Sequence, residues 1–224
     1  MKKSMLLFLM VFMLLLTACT ANDPNDAAAG TTEGFAEPTV ATTAESYATE
    51  APVMLQLPLP EDPVEFSFLS GAGAWSTVII LNRDGTFTGW FHDSEMGDVG
   101  EGYPHGSVYT CTFSGRFENI EMVNGYSYKM TLADLQTEKV VGEEWIENEI
   151  RYVAAEPHGL TDPITNQLST EFIFYLPDTP VDQVPEELLI WWPYRYDQES
   201  DPKNTLSCYG IRNVAAEFGF FTAE

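Results

Sequence analysis

Apolar and polar residues alternate with a period of two through much of the chain, the signature of strands with one buried face. Tyr126, Tyr128, Met130 and Leu132 alternate with Ser127, Lys129 and Thr131. Phe172, Phe174 and Leu176 alternate with Glu171, Ile173 and Tyr175. Tyr109, Cys111, Phe113 and Phe117 share one face, and Thr110, Thr112, Ser114 and Arg116 the other. Phe87 and Phe91 stand on one face around Gly89, and a further strand is read over residues 76–81. Turn chemistry falls between these runs. Asn124-Gly125 predicts a hairpin with a type I′ turn, which needs two residues at positive φ. Asn82-Arg83-Asp84-Gly85 predicts a slightly longer hairpin with Gly in the left-handed position. Helical signals are few: Pro185-Glu186-Glu187 before Leu188 predicts one short helix, with Pro193 as its stop. Residues 143–150 fit helix and strand equally.

Seven or eight such strands in about 160 residues predict an all-β, antiparallel domain closed as a barrel or stacked as a sandwich. The strands occupy residues 61–224, and the two segments before them have different compositions. Lys2 and Lys3 precede an apolar run over residues 5–16. As a helix that run is about 18 Å long, too short for a hydrocarbon core of about 30 Å, and it reads as the apolar stretch of a signal peptide. Residues 20–60 hold six acids and no Lys or Arg, with many Ala, Thr and Pro. Such a segment buries too little apolar surface to offset its ordering entropy, and it reads as a disordered tether with a reach of roughly 35 Å.

The leader ends in Leu16-Thr17-Ala18-Cys19. This resembles the bacterial lipobox, a branched apolar residue and two small ones before a cysteine. The resemblance implies that Cys19 takes a diacylglycerol, that cleavage removes residues 1–18, and that two acyl chains anchor the protein to the extracytoplasmic face of the cell membrane. Gly73-Ala74-Trp75, opening the strand over residues 76–81, resembles the G-x-W start of the lipocalin-like (calycin) barrels. That resemblance implies a lipocalin-like barrel whose base is closed by Gly73 and Trp75, with Arg212 packed on the indole. The alternative is that Trp75 is a core aromatic in another β fold. The pattern from Ser70 to the aromatic C-terminus is also similar to Gram-positive surface lipoproteins.

Charge narrows the partners. The whole chain has 34 acids and 10 bases; without its leader it keeps eight bases, a net −26. A surface of that sign repels phosphate backbones, which argues against nucleic acid. Cations are attracted, although solubility alone explains an acidic surface. One stretch concentrates the acids: residues 92–105 carry Asp93, Glu95, Asp98 and Glu101 with two imidazoles and no Lys or Arg. It reads as a weak Ca²⁺ site, since calcium wants six to eight oxygens, or as a solvated loop and pocket rim.

Catalytic signatures are missing. The chain has no H-E-x-x-H, G-x-S-x-G or phosphate-binding glycine loop, and its three histidines are scattered. Cys111 and Cys208 form either a disulfide or two separate buried thiols. Two functions follow from these residues: a tethered barrel that binds a small, mostly apolar ligand, or a surface structural or protein-interaction domain whose barrel is filled with aromatics. A surface enzyme acting on glycans is a distant third. Small inward residues such as Gly89 and Gly115 would mark a hollow barrel, and inward aromatics on every strand a solid one.

Overall fold

The computed structural model describes residues 55–223, apart from 163, 164, 166 and 196–202. The signal segment, Cys19 and all but the last residues of the expected tether lie outside the described residues. Ten strands form: β1 (Val64–Leu69), β2 (Trp75–Leu81), β3 (Thr86–Glu95), β4 (Ser107–Asn124), β5 (Ser127–Thr137), β6 (Glu144–Glu147), β7 (Ile150–Ala154), β8 (Glu171–Tyr175), β9 (Gly210–Asn213) and β10 (Phe218–Phe221). Eight of them close a ring in the order β1-β2-β3-β4-β5-β8-β9-β10 and back to β1, every pair antiparallel. The protein is a closed eight-stranded antiparallel barrel, built as an up-and-down meander with two insertions. Closure leaves no unpaired edge within the ring. Among the described residues no helix is long and apolar enough to cross a membrane.

The first insertion is the β6–β7 hairpin, which lies against the barrel through a parallel pairing of β7 with the start of β4. Residues 143–150 are thus strand and turn. Asn148 and Glu149 both take positive φ, at 51° and 62°, as a two-residue hairpin turn requires. A glutamate in that role is uncommon, which is why the sequence does not announce the turn. The second insertion, between β8 and β9, carries a 3₁₀ turn (Val181–Gln183) and the helix α1 (Glu186–Leu189). Pro185 starts α1 as expected, and Leu188 and Leu189 bury it against the outside of the wall.

The hairpins follow the turn chemistry with one shift. Gly85 takes φ 87° between β2 and β3. In the β4–β5 hairpin the two loop residues are Gly125 and Tyr126, one position later than expected. Asn124 stays in register opposite Ser127, and its side-chain oxygen accepts from the Tyr126 N–H at 2.8 Å, so the asparagine caps the turn from the strand end.

The alternation read from the sequence points its apolar face inward, and the interior is solid. Phe66, Phe113, Phe117, Phe172, Phe174, Phe220, Ile79, Leu81 and Met130 are all fully buried. Gly89 and Gly115 leave no space: a side chain at Gly89 would meet the Phe113 ring at 2.5 Å, and one at Gly115 the Phe87 ring at 2.5 Å. Each glycine sits directly opposite the phenylalanine that fills its place. Such cross-strand pairs are the unit of sheet stabilisation. Both ends are plugged as well. Leu57 and Leu59 join the core at the end where the Leu57 N–H bonds to the Arg83 carbonyl, so the folded part begins before Glu61. At the other end Phe68, Trp75, His158, Trp191 and Phe218 pack ring against ring.

Candidate functional site

One cleft lies on the outside of the barrel wall. Its volume is about 610 Å³, and it runs from the outer face of β1 and β10, at Ser67, Leu69 and Phe221, over the rim to Phe68 and Trp75. The segment after α1, residues 190–194, forms the facing wall with Trp191, Trp192 and Tyr194. Three of the five tryptophans in the chain line it, and among the described residues no lining residue carries a charge. Glycine sets the geometry. A side chain at Gly219 would meet Leu188 at 2.5 Å and Trp191 at 3.1 Å, so the bare backbone of β10 lets α1 lie close and aim both tryptophans at the rim. The Trp191 ring is held by donating its Nε1–H to the Glu217 carbonyl at 3.1 Å and by edge contact with Phe68 at 4.8 Å. This volume falls in the range of small-ligand sites, which are apolar, concave and bounded by a few polar groups.

Trp75 is where the rim needs it, but its partner is not Arg212. Trp75 shares the inward face of β2 with Thr77, Ile79 and Leu81, whereas Arg212 lies between inward Ile211 and Asn213 and therefore points outward. Arg212 sits 4.0 Å from Glu187 on α1. Parity explains the correction: a strand residue beside two inward ones has to face the other way. Gly73 does take positive φ, 75°, in the turn before Trp75.

The Trp75 indole is covered instead by His158, a residue sequence reasoning passed over. Its imidazole lies 5.4 Å from Phe68, 5.2 Å from Trp75, 5.6 Å from Phe91 and 5.3 Å from Phe218. Its main-chain carbonyl accepts from the buried Thr77 hydroxyl at 2.8 Å. Burial holds the imidazole below its ordinary pKa of 6.5, opposed by the Asp93 carboxylate. The unfolded chain therefore binds this proton more readily than the folded one. The contribution of His158 is complete above about pH 6.5 and is lost as the pH falls through the lower folded value. Thermal unfolding between pH 7 and 5.5 should show a falling midpoint, with a shallower fall in His158→Phe. Parallel pH curves for the two proteins would mean that the cage does not hold the ring neutral.

Ionisable groups of the acidic stretch point to separate partners. His92, Asp93 and Glu95 belong to β3, and only residues 96–106 form the loop. Asp98 is ion-paired to Arg151, which β7 brings in from 53 positions along the chain. Arg151 also donates from Nε to Ser107 Oγ at 3.0 Å and lies 5.2 Å over the Tyr103 ring. His105 pairs with Glu149 at 3.0 Å. Glu101 stands in the turn closed by Gly100 and Tyr103. Among the described residues no three His, Cys, Asp or Glu side chains converge to hold a cation, so Asp93, Glu95, Asp98 and Glu101 share no common focus here. The missing base was real locally; the hairpin supplies it from elsewhere.

The cysteines are two separate thiols. Cys111 lies in the barrel interior and Cys208 in the outer cluster beneath α1, and the two are not bridged. Burial pushes the Cys111 thiol up to about 11, so at neutral pH it is not a nucleophile. A second, smaller cleft of about 300 Å³ lies between β4 and the β6–β7 hairpin. Its Trp145 ring is already stacked on Tyr152 at 5.2 Å and covered by Lys139 at 4.6 Å.

Comparison with family models, with curated proteins and with solved structures finds no match to this chain. The geometry of the site therefore carries the functional argument.

Proposed function

We propose that the protein is a lipoprotein, anchored through Cys19 on the extracytoplasmic face of the cell membrane, whose barrel holds a small, mostly apolar ligand. The observation that carries this reading is the cleft of about 610 Å³ walled by Trp75, Trp191, Trp192 and Tyr194, whose described lining residues carry no charge. Aromatic walls offer large apolar area at low conformational cost, and hydroxyls of Ser67, Tyr194 and Thr222 stand among them. The site replaces the lumen imagined for a hollow barrel, because the lumen is filled. The lipocalin-like comparison survives here only as an analogy of architecture, since its indole–arginine contact is not formed.

A titration with a neutral apolar fluorophore, N-phenyl-1-naphthylamine, tests this. Saturable binding by the parent and at least about tenfold weaker binding by Ser67→Phe, which projects a ring into the cleft from the outer face of β1, is the expected result. Equal binding by both proteins would place the site elsewhere. The solid interior favours a second reading, a surface structural or protein-interaction domain; absence of any saturable binding would favour it.

A further inference from the structure

We infer that the free edge of β6 takes up an extended, lysine- or arginine-bearing segment of a partner protein as one further strand. The ring has no free edge, but β6 ends the sheet outside it, with β7 on one side and no strand on the other among the described residues. Which main-chain groups of β6 face outward follows from β7. The Arg151 N–H bonds to the Gly106 carbonyl and the Ala155 N–H to the Thr110 carbonyl, so Arg151 and Val153 turn their main-chain groups toward β4. Ile146 and Glu144 stand opposite them, and in an antiparallel pair both must then point N–H and C=O away from β7. The edge therefore presents two donors and two acceptors in the pattern that strand addition uses.

Little blunts this edge. β6 holds no Pro or Lys, its register with β7 runs without a bulge, and Glu144, Ile146 and Glu147 are exposed. Ile146 keeps 53% of its surface exposed, and Val140 and Val141 just before the strand are exposed too. Charge selects the occupant. Residues 138–149 carry Glu138, Glu143, Glu144, Glu147 and Glu149 against Lys139 alone. A second copy is disfavoured: the register that uses both outward pairs sets Glu143 against Glu147 at each end, and like charges directly opposite destabilise. The chain's own residues 20–60, with six acids and no Lys or Arg, are repelled likewise. A strand with bases opposite Glu144 and Glu147 and an apolar residue opposite Ile146 satisfies backbone and charge together. None of these residues lines the outer cleft, so the inference stands whether or not the cleft holds a ligand.

Calorimetry on the full chain in about 0.15 M salt compares the acetylated, amidated peptide Thr-Lys-Val-Val-Lys-Lys-Thr with two relatives, one with glutamate for each lysine and one with proline for each valine. The lysine peptide should bind saturably, and the other two at least about tenfold more weakly. Ile146→Pro removes one outward N–H yet spares every bond to β7, and an edge strand accepts proline in that orientation. It should weaken binding of the lysine peptide by a similar factor. With the peptide bound, amide exchange at Glu144 and Ile146 should slow, while Trp145 and Glu147, whose N–H groups already face β7, stay as they were. Equal binding of the lysine and proline peptides, or equal binding by the parent and Ile146→Pro, would mean attraction to the acidic surface alone and would overturn the inference. So would no binding at about 1 mM, or added protection confined to other strands.

Discussion

Phe113→Ala is expected to lower the unfolding free energy by about 3–5 kcal/mol, the usual cost of removing a buried aromatic ring from a core that cannot collapse. Phe113 is fully buried and touches two structures at once: its ring meets Phe87 at 6.3 Å and covers the backbone at Gly89. Closure of the barrel prevents the strands from moving in to fill the gap, since each is paired on both sides. The complementary change, Gly89→Val, is also expected to destabilise, because the new side chain would meet the Val78 carbonyl at 2.3 Å as well as the Phe113 ring. Denaturant unfolding measures both. In a hollow barrel the signs would differ, because a larger residue at 89 would fill empty space at little cost. Near-neutral values for both variants would show that the interior is not packed as described.

Cys19→Ala is expected to abolish lipidation and cleavage before residue 19, leaving the protein soluble or held only by its uncleaved leader. The proposal gives the chain two acyl chains at one cysteine, and each buried methylene contributes about 0.8 kcal/mol to membrane partitioning. Among the described residues no helix is long and apolar enough to cross a membrane. Mass spectrometry of the parent should find a mature N-terminus at Cys19 carrying diacylglycerol, and fractionation should find the variant soluble or retained as an unprocessed precursor. A variant as tightly membrane-bound as the parent, with no lipid on either, would defeat the anchor.

The barrel was legible because its strands are half-buried in a regular way. Phe87, Gly89 and Phe91 on β3, or Tyr128, Met130 and Leu132 on β5, alternate cleanly, and a closed wall needs nothing subtler than that. The β6–β7 hairpin was hidden because Glu149 takes a positive φ that its type rarely adopts. The site was less legible. Trp191 and Trp192 follow a four-residue helix, too short to bury both rings, and that imbalance was the available signal. What no local pattern reveals is a partner from far along the chain. Arg151 neutralising Asp98, His158 covering Trp75 and Gly219 seating α1 all join distant segments. Arg212 stands near the end of the chain, where the lipocalin resemblance implies the arginine, but strand parity turns it to the other face.

The central claim is that ligand is held in the outer cleft and not in the lumen, and the indole N–H signals of the five tryptophans test it most directly. Trp75, Trp191 and Trp192 line the cleft. Trp90, on the outer face of β3, and Trp145, on the β6–β7 hairpin, do not. In ¹H–¹⁵N spectra recorded during a titration with N-phenyl-1-naphthylamine, the first three resonances should move together to saturation while the other two stay fixed. Shifts confined to Trp90 or Trp145, or no shift in any of the five, would contradict the account.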